Sequence, residues 1–137
     1  MFKPKTPFLA VDGIVKLWDG KRFKGIVLIE RHYEPYGFAL PGGFVEVGER
    51  VENAVLREVK EETGLDAKIV KLLGVYSEPD RDPRFHVVSV VFVLDAEGTP
   101  KAGDDAKSVF ISPLEQIPFD KMVFDHAKIL GDYLRCL

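Results

Sequence analysis

The segment RVENAVLREVKEET, Arg50 to Thr63, constrains this chain more than any other. Its spacing predicts a helix from about Arg50 to Thr63, and Gly64 supplies the left-handed residue that ends it. On a wheel of about 100° per residue, Val51, Val55 and Val59 share one arc, with Ala54 at its edge. Glu58 and Glu62 fall inside that same arc, and Glu61 lies at its margin. A carboxylate on the core-facing side of a helix is costly unless something compensates it. Either Glu58 and Glu62 flare into solvent at a sheet edge, or a hard divalent cation holds them. Oxygen ligands at i, i+3 and i+4 converge on one point, and magnesium keeps positions open for water and phosphate oxygens.

The rest of the chain reads mainly as strands: residues 8–18, 24–31, a short one at 38–40, then 67–77, 86–95 and 106–111. Asp19-Gly20 is a turn signal, and Pro41-Gly42-Gly43 is where regular structure should stop. Phe124 to Leu134 has helical spacing through Phe124, Ala127, Leu130 and Leu134. Strands and helices interleave without a regular βαβ rhythm. A mixed sheet with a helix on each face is the natural packing, because each helix has one apolar stripe to cover.

Composition narrows the function. With 137 residues and no internal repeat, residues 1–137 are expected to form one domain with its own core. A formal net charge of −3 leaves no basic excess for nucleic-acid phosphates or a membrane surface. A small nucleotide held through a metal stays open. The one cysteine, Cys136, cannot form an internal disulfide and has no zinc-site spacing around it. No apolar run suits a membrane span, and Met1 to Lys5 does not begin a signal peptide. A reducing, cytoplasmic setting is the expectation.

The loop before the helix strengthens the metal reading. Gly42 and Gly43 let backbone approach a ligand closely. Glu49 stands near the helix start, where negative charge is favoured, and is placed to pair with Arg57. Together, Gly43, Glu49, Arg57-Glu58, Val59, Glu61-Glu62, Gly64 and Leu65 fill every fixed position of one pattern. The pattern is Gly, five residues, Glu, seven residues, Arg-Glu, an aliphatic, any residue, Glu-Glu, any residue, Gly, an aliphatic. The stretch thus resembles the Nudix box of the Nudix hydrolases, and a chance match is roughly 10⁻⁸ per starting position. The resemblance implies a Nudix-like α/β/α sandwich with a mixed β-sheet, and hydrolysis of a nucleoside diphosphate linked to another group. It makes Glu58, Glu61 and Glu62 the metal-binding carboxylates and the Gly42 carbonyl a further ligand. Gly43, Glu49, Arg57 and Gly64 become structural residues of the motif. The implied cofactor is Mg²⁺, with Mn²⁺ as a substitute.

Outside the box, Ser77-Glu78-Pro79-Asp80-Arg81-Asp82-Pro83-Arg84 is similar to the loop of the family's ADP-ribose pyrophosphatases, where a proline stands at the place of Pro79. Arg81 and Arg84 are candidates to clamp a phosphate or ribose phosphate, and Arg31 is a further substrate contact. Asp104 and Asp105 lie in a loop expected to close over the site, although such a pair is also ordinary turn chemistry. With Glu58, Glu61 and Glu62 they complete the catalytic candidates. Trp18, Phe8 and Phe44 offer faces for adenine, although strand aromatics are mostly core. His86 reads as a core or edge histidine, and Asp125 as the cap of the last helix. The expected reaction is metal-assisted attack of water on one phosphorus of ADP-ribose, giving AMP and ribose 5-phosphate. Glu61, Asp104 and Asp105 are the candidates to take the proton. The alternatives are another nucleotide (an oxidised nucleoside triphosphate, NADH or another nucleotide sugar) or a non-catalytic nucleotide-sugar sensor. Related enzymes often pair to complete the pocket, so a homodimer fits the resemblance, although nothing in the composition demands it.

Overall fold

Three apolar strands alternate their side chains between two helices. In a computed structural model, which describes residues 2–103 and 105–137, these are β1 (Phe8–Asp19), β2 (Arg22–Arg31) and β6 (Val87–Glu97). Val11, Val15, Leu17, Val27, Phe92 and Leu94 face one way and pack against Ala54, Val55 and Val59 of α1 (Val51–Thr63). Ile14, Ile26, Leu28, Val91 and Val93 face the other way and pack against Ile129, Leu130 and Tyr133 of α2 (His126–Arg135). The two-residue period of a strand produces this division directly. The result is the α/β/α sandwich.

The sheet runs β3-β2-β1-β6-β5, with β3 at Phe38–Ala39 and β5 at Lys68–Tyr76. β1 is parallel to β6 and antiparallel to β2, so the sheet is mixed. β4 (Gly42–Phe44) pairs with the start of β1, and β7 (Ala106–Ser112) pairs with β2. β2 stays with β1 only over the far half of that strand, from Lys16↔Ile26 to Asp19↔Arg22. Beyond that point the two strands diverge, and a cleft opens between them with Ala10 and Asp12 on one side and Ile29 and Arg31 on the other.

The observed elements keep within a few residues of the expected ones, with two informative departures. Gly42 and Gly43, expected with Pro41 to end regular structure, instead open a strand, Gly42–Phe44, against Ala10–Asp12. Only glycine permits it, because a Cβ on Gly42 would stand 2.2 Å from the Val11 carbonyl oxygen. The last helix begins at His126 rather than Phe124, because Phe124 has φ 55° and cannot be helical. Among the described residues no helix is long and apolar enough to cross a membrane.

Candidate active site

The carboxylate end of α1 is organised by one guanidinium. Arg57 donates from Nε and Nη2 to the two oxygens of Glu49, at 2.7 and 2.9 Å. It also donates to the Phe44 carbonyl at 3.1 Å and to Glu58 Oε1 at 2.8 Å. This fork fastens the loop after β4 to the helix, as planar bidentate geometry allows. The Arg57 bonds hold the Glu49 carboxyl down at about 2. The guanidinium is itself raised by Glu49.

Glu62 is in a different situation. It is 7% exposed, and the Gly42 N–H donates to its Oε1 at 2.7 Å. Burial, with the nearby charges of Glu58 and Asp12 adding to it, pushes its pKa up to about 8. Glu58 is raised too, chiefly by burial and against the pull of Arg57. Gly43 lies directly on Glu58, where a Cβ would sit 2.5 Å from the carboxylate carbon.

Clustered carboxylates whose charge is disfavoured, beside a half-buried strand of glycine backbone that lines the cleft, fit a hard divalent cation. They are not drawn together as a finished cage: among the described residues no three acidic or imidazole side chains are gathered closely enough to hold an ion. Arg57 occupies one oxygen of Glu58, which still lines the cleft. Glu61, expected at the site, lies out along the helix with its side chain 58% exposed and near Arg57 Nη1 at 3.3 Å. Glu58, Asp12 and Asp105 line the cleft. Asp104 lies outside the described residues.

Sequence reasoning missed a buried polar chain under this end of the cleft. The Leu40 N–H donates to His126 Nδ1 at 3.0 Å. The accepting nitrogen carries no hydrogen, so Nε2–H faces Asp12 Oδ1 at 3.5 Å. The Ser89 hydroxyl donates to Asp12 Oδ2. Asp12, Ser89 and His126 are all buried. The group ties β1, β6 and α2 to the peptide that leads into Gly42. The only sequence signal was a polar residue at Asp12 and Ser89 within otherwise apolar runs.

The opposite wall is basic and aromatic. Arg31 and Arg84 both line the cleft. Among the described residues Arg31 bonds only to the carbonyls of Pro35 and Glu34, at 2.8 and 3.2 Å. Burial and the neighbouring Arg84 guanidinium lower its pKa. Arg84 is braced by Asp82 at 2.8 Å. Arg81 does not play the expected clamp, because its side chain is buried and committed to both oxygens of Asp125 at 2.9 and 2.6 Å. The same pair explains why Asp125 makes no capping bond to α2. Pro79 is exposed and lies outside the cleft lining. Trp18 donates to Asp95 and packs on Phe23 away from the cleft, and Phe8 packs on Phe85. Of the three expected aromatics only Phe44 lines the cleft. His86 bonds the Ser77 carbonyl at 3.0 Å, an edge role.

The cleft, of about 280 Å³, is therefore acidic on one wall and basic on the other. Residues 7–133 match the model of the NUDIX domain. The chain belongs to the NUDIX family. This NUDIX chain is 57% identical over 132 residues to the ADP-ribose pyrophosphatase of Methanocaldococcus jannaschii, covering 94% of its own length and 74% of that protein's. A MutT/nudix family protein from Enterococcus faecalis superimposes with a TM-score of 0.79 at 31% identity, over 98% of this chain and 64% of that one. A bifunctional NMN adenylyltransferase/ADP ribose pyrophosphatase from Francisella tularensis, complexed with AMP and a Mn ion, gives a TM-score of 0.78 at 30% identity. That likeness covers 98% of this chain and 42% of the Francisella one. The chain thus spans less than two-thirds of either solved structure's chain.

Proposed function

We propose that residues 1–137 act as a single NUDIX domain that hydrolyses ADP-ribose to AMP and ribose 5-phosphate with the help of a divalent cation. The reading is carried by a cleft acidic at Asp12, Glu58 and Asp105, with buried Glu62 behind Gly42, and basic at Arg31 and Arg84, in a chain 57% identical to a protein named for that reaction. Glu58, Glu62 and the Gly42 carbonyl would hold Mg²⁺, with Mn²⁺ as a substitute, and Glu61 would join them by turning away from Arg57. When bound, the cation neutralises diphosphate oxygens and lowers the pKa of the attacking water.

The chain's own residues do the rest. Arg57 keeps Glu58 pointed at the cleft while Glu49 fixes Arg57. Arg31 and Arg84 meet the substrate's negative charge from the far wall. Asp105, exposed on the cleft rim, is better placed than the outward-facing Glu61 to accept the proton of the attacking water. Arg81 and Asp125 hold the basic wall in place. A cytoplasmic setting agrees with the lone free cysteine.

Purified protein incubated with ADP-ribose and Mg²⁺ should release AMP and ribose 5-phosphate, resolved by chromatography, and should release neither in EDTA. Glu62→Gln should remove the activity and leave the fold. Untouched ADP-ribose beside rapid pyrophosphate release from a nucleoside triphosphate would overturn the substrate.

A further inference from the structure

Phe124 is the only described residue other than glycine with positive φ, at 55°. A bulky side chain adopts that region only under constraint. The constraint is visible on both sides. The Val123 N–H donates to the Phe38 carbonyl at 2.8 Å, and Asp125 is gripped by buried Arg81. What this backbone achieves is to place the phenyl ring on the cleft wall.

The ring belongs to none of the apolar clusters. Cations and an imidazole border it instead: the Arg31 guanidinium 5.1 Å from its centroid, Arg84 5.6 Å, and the His126 ring 5.3 Å. A phenylalanine serving only as a core anchor would be surrounded by aliphatic side chains. Arg31 is also close enough to Glu62 and Asp12 to feel their charges. A diphosphate lodged between the acidic wall and Arg31 would therefore carry its attached group over Phe124.

We propose that Phe124 is a specificity-determining residue, a platform on which the purine base of the substrate stacks while Arg31 and Arg84 meet the phosphates. The inference rests on the reading above that the substrate is a nucleoside diphosphate derivative. A base has a π-face to set on the phenyl ring, and a ribose does not.

Calorimetric titration of the Mg²⁺-loaded protein with AMP and, separately, with ribose 5-phosphate tests it. Phe124→Asn keeps a residue that tolerates left-handed backbone and removes the ring. It should weaken AMP about 10- to 100-fold and move ribose 5-phosphate by less than about twofold. Phe124→Trp should restore AMP binding. Phe124→Gly should hold or raise Tm, because strain is released, and still lose AMP affinity. Unchanged AMP affinity in Phe124→Asn, an equal loss for both ligands, or no AMP binding by the parent protein would each overturn the platform. The two readings fail separately. A parent protein that binds AMP through Phe124 yet leaves ADP-ribose intact would sink the reaction and keep the platform. One that hydrolyses ADP-ribose with AMP affinity indifferent to Phe124→Asn would sink the platform alone.

Discussion

Glu62 should make the metal-free protein lose stability as the solution becomes alkaline. Its carboxyl titrates near 8 in the fold, against a reference value of 4.5. Below about pH 4.5 both folded and unfolded chains hold the proton, and Glu62 imposes no penalty. Between pH 4.5 and 8 the unfolded chain releases its proton while the folded one retains it, so the unfolded state gains. Above pH 8 the penalty levels off. At about 1.36 kcal/mol per pH unit of separation, linkage gives a loss of about 3 kcal/mol between pH 5 and pH 8.

Glu62→Gln isolates this contribution, because a glutamine carbonyl still accepts the Gly42 N–H but cannot ionise. Urea unfolding of both proteins in EDTA at pH 5 and pH 8 is the measurement. The parent should fall relative to the variant by about 3 kcal/mol over that interval, and saturating Mg²⁺ should erase the difference for the parent, since binding releases the proton. If the two proteins run parallel to within about 0.5 kcal/mol, Glu62 is neither buried nor crowded by charge as described, and the account of the acidic wall fails.

Other residues give independent checks. Gly43→Ala should push the Glu58 carboxylate from its place and weaken Mn²⁺ binding, read by electron paramagnetic resonance, about 10- to 100-fold with little change in Tm, because the displaced atoms are the tip of a flexible side chain. Arg57→Lys should weaken Mn²⁺ by a similar factor, since a lysine cannot reproduce the fork that spans Glu49 and Glu58. Arg81→Leu should cost about 3 kcal/mol in urea unfolding by leaving Asp125 uncompensated, and Arg81→Leu with Asp125→Leu should recover most of it.

The acidic wall was legible because its information is local. Glu58 and Glu62 share a helical face with Val55 and Val59, and Glu49 meets Arg57 within one short segment, so periodicity and spacing sufficed. The polar chain beneath it is not local. Ser89 reaches Asp12 only because β1 and β6 run parallel in one register, and His126 reaches Leu40 across 86 positions. No window of sequence contains that pairing. Arg81 misled for the opposite reason. A loop with five charges reads as solvated or as a ligand clamp, and nothing local reveals that one arginine is buried by a carboxylate 44 positions away. Pro41-Gly42-Gly43 read as a break because proline and glycine usually are one. Here the missing side chain of Gly42 is what lets the strand lie against β1.

The two walls of the cleft have complementary deficits. Glu62 and Glu58 are crowded carboxylates that burial disfavours, and across from them Arg31 is a half-buried guanidinium with no carboxylate partner among the described residues, crowded by Arg84. Closing the distance between the walls would let these charges neutralise one another, but the fold prevents it. Arg57 holds Glu58, Gly42 holds Glu62, Asp82 holds Arg84, and the carbonyls of Glu34 and Pro35 hold Arg31. Each group is restrained by a neighbour on its own wall. A ligand that is positive toward one wall and negative toward the other relieves both deficits at once, and a cation chelated by a diphosphate is such a ligand. Neither half alone does so, since a bare cation leaves Arg31 uncompensated and a bare diphosphate gives the ionised forms of Glu58 and Glu62 no partner.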